Sequence, residues 1–269
     1  LNGDFDKAEP WPPLALAIAE FFKNLAGKAD PVLLAESLLR ELEKIVSYSS
    51  GREFPSRIVL ESLKRIAESV TGEVALALMN LYLEHFALQA EHRDIAFARK
   101  RVIACALQSL IKNLPAGENW HHPLAEPLLA ALRGNEAVAG VLREMAPLIT
   151  DRDLLRKLFR AAMPDHSALL RALAENDATP AVEFCEDIEI LLKRIHMRTM
   201  DAGRVKKSDD EWFVVKKILW AAPGPWVERF FETLLKELEA TESTFNERRR
   251  RTVGRALALV FLRMQGTEP

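Results

Sequence analysis

Apolar side chains return every three or four positions in segment after segment of this chain, and a turn signal closes each one. That period matches the turn of an amphipathic helix. Leu14, Ile18, Phe21, Phe22 and Leu25 give a first helix its buried face. It is entered through Pro12 and Pro13, whose missing N–H costs nothing in a first turn. Asp30-Pro31, a cap followed by proline, starts a second helix carrying Leu34, Leu38, Leu42 and Ile45. After the polar connection SYSSGREFP (47–55), helices are expected over 55–69 and 73–90. The latter is apolar on most sides, from Val74 through Leu88, which predicts burial among neighbours. Another helix runs from Asp94 to Leu114, with Phe97, Arg101 and Cys105 along one side.

LPAGENWHHP (114–123) is the clearest break, combining Pro, Gly, Asn and a His pair. Shorter helices are expected beyond it, over 123–133, 135–149, 151–163 and 165–176. Gly134-Asn135, Thr150-Asp151 and Pro164-Asp165 supply the stop-and-cap chemistry between them. A longer helix covers 180–200, and DAGRVKKSDD (201–210) reads as a charged loop. Ser208 and Glu211 have the spacing of a capping box for the helix that follows. Strand competes only in WFVVKKILW (212–220), where the cap and the spacing of Trp212, Val215, Ile218 and Leu219 favour helix. Segments 225–240 and 244–265 close the chain.

The sum is about thirteen helices of roughly twenty residues, the size of one arm of a helical-hairpin repeat. No repeat consensus is present: the tetratricopeptide and ankyrin patterns are both absent. The expected fold is all-α, as stacked antiparallel helical hairpins (an irregular HEAT-like α-solenoid) or a compact multi-helix bundle. The break suggests helical subdomains at 1–114 and 123–269, or one continuous domain with a loop at 115–122.

Composition adds little to that picture but narrows the chemistry. The 269 residues include only 11 glycines, and the net charge of −2 implies no global pull toward nucleic acid or membrane. No run of about 20 apolar residues suitable for a membrane span occurs. The chain opens LNGDFDKAEPWPP, without a signal-peptide pattern or an initiating Met, and reads as trimmed or excised from something longer. Cys105 and Cys185 lie far apart among apolar residues, as expected of buried free thiols in a reducing compartment such as the cytoplasm.

Three groups of residues carry candidate chemistry. In LEHFALQAEHRD (83–94), Glu84 and Glu91 stand seven apart, as do His85 and His92, so one helix face offers metal-ligand types. Two turns span about 10 Å, too far for one ion without further ligands, although His121 and His122 could approach from the next loop. The bland reading is a solvated helix end. Asp165, His166 and Ser167 are triad types, but as sequence neighbours they read as a helix start capped by Asp165. No Gly-rich phosphate loop and no G-x-S-x-G occurs.

The second group is basic. Lys193, Arg194, His196, Arg198, Arg204, Lys206 and Lys207 form one cluster, and Arg248, Arg249, Arg250 and Arg251, followed by Arg255 and Arg263, form another. The first follows the acids Glu183 to Glu189 and complements a helix dipole. The Arg248–Arg251 run lies early in its helix, where the dipole disfavours cations, so it invites a partner. The third group is aromatic: Trp212, Trp220 and Trp226 with Phe213, Phe230 and Phe231. Core packing is their default role, and Trp beside Arg, where exposed, is the composition of an interface hot spot.

These features predict a protein–protein interaction module, an adaptor, scaffold or regulatory subunit, that needs no cofactor and carries no recognisable catalytic signature. Arg248 to Arg251 with Trp212, Trp220 and Trp226 are its candidate contacts to an unknown protein partner. The alternatives are nucleic-acid binding through the C-terminal basic clusters and a metal-dependent helical enzyme built on His85, Glu91, His92 and the loop histidines His121 and His122.

Overall fold

A computed structural model describes residues 13–47, 53–88, 93–115, 120–133, 135–163, 165–177, 192, 205–240 and 247–266. Among these residues are twelve α-helices, two 3₁₀ turns and no strand. The helices are α1 (Pro13–Ala26), α2 (Pro31–Ser47), α3 (Glu53–Ser69), α4 (Gly72–Ala87), α5 (Arg93–Leu110) and α6 (His121–Ala131). They continue with α7 (Glu136–Met145), α8 (Arg152–Ala162), α9 (Ser167–Asn176), α10 (Val205–Ala221), α11 (Gly224–Ala240) and α12 (Glu247–Met264). The 3₁₀ turns are Ile111–Asn113 and Ala146–Leu148. No described helix is long and apolar enough to cross a membrane. The helix expected over 180–200 lies outside the described residues except for Leu192, which is helical and buried.

The chain divides into two compact units, Leu1–Glu144 and Met145–Pro269. The stretch at 115–122 falls inside the first, with 116–119 outside the described residues. In this unit alternate helices pack on one another: α3 lies between α1 and α5, and α4 between α2 and α6. Two rows of helices result, α1–α3–α5 and α2–α4–α6, cross-linked by contacts of α2 with α3 and of α4 with α5. This is how stacked helical hairpins bury an apolar seam when no single hairpin can do so alone.

Local chemistry explains the element boundaries. Asp30 Oδ1 accepts from the Val32 amide at 2.8 Å, the cap that Asp30-Pro31 foretells. Only Val70 and Thr71 separate α3 from α4, and Gly72 takes φ +61° to make that turn, a conformation that favours glycine. Tyr82 is fully buried, and its hydroxyl donates to the Leu63 carbonyl at 3.2 Å. Burial pushes its phenol pKa up, so it stays a neutral donor. Asn113 Nδ2 ties the 3₁₀ turn to α3 by donating to the Ala67 carbonyl at 2.8 Å.

Several sequence expectations are corrected in this unit. Among the described side chains of α1, Ala19 is the fully buried one, Phe21 is 60% exposed, and Ile18, Phe22 and Leu25 are half-buried, while the side chain of Leu14 lies outside the described residues. α1 packs mainly on α3. α4 is not buried all round: Ala75, Leu78, Met79, Tyr82 and Phe86 point inward, Val74 is exposed, and Leu76, Leu81 and Leu83 are half-buried. Phe97, Arg101 and Cys105 lie on the outer side of α5, and Cys105 is half-buried rather than buried.

The inner side of α5 carries Arg99, which is only 5% exposed. Its Nη2 donates to the carbonyl of Leu88, the residue that ends α4. A helix leaves its last carbonyls without partners, and a guanidinium both satisfies one and complements the negative end of the dipole. Replacing Arg99 with alanine is expected to cost about 2–3 kcal/mol, since it removes a charge-assisted bond and leaves that carbonyl unpaired. Urea denaturation measures this, and Arg99→Lys should recover only part of the loss, because lysine lacks the planar fork.

In the second unit α9 is the organising element. It packs on α8, on the Ala146–Leu148 turn and on α10, while α12 packs on α10 and α11. Asp151 caps α8 as expected, accepting from the amides of Asp153 at 2.8 Å and Leu154 at 3.1 Å. Asn176 Nδ2 closes α9 onto the preceding turn by donating to the carbonyls of Ala146 at 2.8 Å and Ile149 at 2.7 Å.

Two cap assignments are overturned here. α9 begins at Ser167, so His166 rather than Asp165 holds the cap position, and the His166 side chain makes no capping hydrogen bond. α10 begins at Val205, three residues before Ser208. Ser208 therefore lies within the helix, and Glu211 is fully buried rather than folded back on a cap. The lysines Lys206 and Lys207 are good helix formers and carry the helix upstream. WFVVKKILW is helical throughout, with Trp212, Val215, Ile218 and Leu219 on the buried face.

Candidate functional site

Along one edge of its apolar stripe α10 carries an acid, two rings and a base. Asp209, Trp212, Phe213 and Lys216 follow one another at helical spacing along it. Arg255 and Leu259 of α12, four residues apart and so on one face, close the other side. Together these six residues line a cleft of ≈ 230 Å³.

Each ring at or beside the cleft carries a cation. The Arg255 guanidinium lies 4.6 Å from the centre of the Trp212 ring, and Lys216 Nζ lies 5.7 Å from that of Trp220. Phe213 meets two, with Arg171 at 4.9 Å and Lys217 at 5.6 Å. Such contacts contribute about 0.5–1 kcal/mol each at exposed sites and hold long side chains in place. Arg171 is fixed more firmly, donating to Asp210 at 2.9 Å and to Glu175 at 3.0 Å. Those two hydrogen bonds raise its pKa further. Arg255, Lys217 and Arg250 have no carboxylate within ion-pair distance among the described residues.

The predicted contact residues are therefore not one cluster. Trp212 is 6% exposed and forms the floor of the cleft beneath Arg255. Trp220 is half-buried beside Lys216, and Trp226 is half-buried and stacked on Phe230 at 4.9 Å. Arg250 and Arg251 are exposed in the first turn of α12, while the side chains of Arg248 and Arg249 lie outside the described residues. The arginine that reaches the tryptophan is Arg255, one turn beyond the run. Its spacing to Arg251 places both on one face of α12, but only the packing of α12 on α10 brings it to Trp212. Of the upstream basic cluster, Lys193 to Arg204 lie outside the described residues.

The histidine group is only partly on view. His85 is half-buried in the last turn of α4, and Glu91 and His92 lie outside the described residues. Among the described residues no three His, Cys, Asp or Glu side chains come together as a metal site would require. His121 and His122 are not in a loop but open α6. The His121 ring lies 4.1 Å from that of Trp120, whose Nε1 donates to the Pro115 carbonyl at 3.1 Å.

Burial first, and His122 second, lower the His121 pKa below its ordinary 6.5. The unfolded chain therefore takes up this proton before the folded one does. Stability is complete above pH 6.5 and falls as pH drops through that value toward the lower folded pKa. Urea midpoints between pH 7.5 and 5.5 should accordingly fall further for the natural protein than for His121→Gln, the difference isolating this histidine from the carboxylates (about 4) that titrate below.

No protein-family model, no curated protein and no solved structure matches this chain. Its class is all-α.

Proposed function

We propose that this chain is a protein–protein interaction module, an adaptor, scaffold or regulatory subunit, and that its partner docks on the face formed by α10 and α12. The observation that carries this reading is Trp212 lying beneath Arg255 at the floor of an open cleft bordered by Lys216. Tryptophan and arginine dominate interface hot spots because they combine large apolar area with directional charge. Arg255 is also held over a ring before any partner arrives, which lowers the ordering cost of binding.

The test is capture from the native lysate at moderate salt, comparing the natural protein with a Lys216→Glu, Arg255→Glu variant. A partner retained by the first and lost by the second supports the reading. A set of bound proteins identical for both contradicts it. Exposure of Arg250 and Arg251 favours one second reading, nucleic acid held at the start of α12. That reading requires binding that weakens with salt and disappears when Arg248 to Arg251 are replaced by alanine.

A further inference from the structure

Resting on that docking reading, we infer that the cleft between α10 and α12 receives a single apolar side chain from an acidic segment of the partner. Size is the first ground. At ≈ 230 Å³ the cleft lies below the about 300–1,000 Å³ of small-molecule and cofactor pockets. It is large enough for one leucine or phenylalanine, with Trp212, Phe213 and Leu259 as its apolar walls.

Charge is the second ground. Lys216 and Arg255 stand on opposite walls, on different helices, so an anchor lying between them brings its flanking residues past both. Lys217, 5.6 Å from the centre of the Phe213 ring, adds a further base beside the cleft. Against them stands Asp209, since Asp210 is already engaged by Arg171. Among the lining side chains two bases face one acid, so complementarity asks for carboxylates on the incoming segment, with Asp209 as the lining residue that opposes them.

The same geometry disfavours a nucleic-acid occupant at this cleft. Bases bind sequence-tolerantly by stacking on open aromatic faces. Here Trp212, Phe213 and Trp220 are each already approached by a cation.

The experiment uses fluorescently labelled peptides with one central phenylalanine or leucine flanked on each side by two glutamates. Their controls carry a central alanine, or lysines in place of the glutamates, and a 20-nucleotide single-stranded DNA is titrated in parallel. The acidic apolar peptide is expected to bind best. Arg255→Ala and Lys216→Glu should each weaken it by about 5-fold or more, and Asp209→Asn should strengthen it by about 2–5-fold. That opposite sign is what a merely structural role for these residues would not produce. Equal binding of the alanine-centred peptide, indifference to all three substitutions, or preference for the DNA would each overturn the assignment. If the peptides fail while a partner sensitive to Lys216 and Arg255 is still captured from lysate, the acidic-anchor chemistry alone is wrong. If both fail, the docking reading falls with it.

Discussion

Trp212→Ala is expected to destabilise the second unit by about 3–5 kcal/mol, read as a lowered urea midpoint with an unchanged slope. Trp212 is 6% exposed, and its neighbours on α10 at Val215, Ile218 and Leu219 are fully buried, so its removal opens a cavity where α10 meets the core. A loss of that size is a large share of the about 5–15 kcal/mol that holds an ordinary domain together. Two consequences follow. A change below about 1 kcal/mol would mean that the indole is a surface ornament, because core truncations cost several times more. Loss of partner binding in the same variant would say nothing about docking, because the cleft floor would no longer be folded. The exposed residues Arg255 and Asp209, together with half-buried Lys216, are the informative positions.

Phe86→Ala carries the corresponding expectation for the first unit, also about 3–5 kcal/mol. Phe86 is 1% exposed on α4, the helix that packs on α2, α5 and α6, and Lys100 Nζ lies 5.3 Å from its ring centre. A cavity there is shared by helices of both rows, so little collapse can fill it. Phe86→Leu, which keeps most of the volume, should cost less than about half as much. Equal losses for the two substitutions would argue that ring contacts rather than volume dominate at this position.

The helices themselves are legible in the sequence because their signals are local. Asp30-Pro31 and Asp151 announce starts that the structure keeps, since a carboxylate beside free amides needs no distant partner. Ser208 and Glu211 mislead for the same reason. A capping box is a local pattern, and here burial of Glu211 and the helix-forming residues upstream outweigh it. Periodicity also marks which residues are apolar without saying how wide a face the neighbour will cover. That width decides why Phe21 is exposed while Ala19 is buried.

The candidate site is legible only as ingredients. Trp212 and the arginines of α12 can both be picked out by residue type. Which arginine meets which tryptophan depends on the rotation of α12 against α10, a property of packing over a distance of some forty residues. Arg255 looks like an appendage to the Arg248–Arg251 run in sequence, and in space it is the residue that completes the cleft. Lys216 and Leu259 carried no signal beyond ordinary helical spacing.

Site-specific photo-crosslinking tests the docking claim most directly. Benzoylphenylalanine placed at Leu259, within the cleft, is compared with the same group at Leu33, an exposed apolar position in the first unit. After irradiation in native lysate, the cleft position is expected to yield a discrete adduct that excess unlabelled protein competes away and that Arg255→Glu abolishes. Adducts formed only from position 33, or formed from position 259 regardless of Arg255, would contradict the assignment of this face as the docking site.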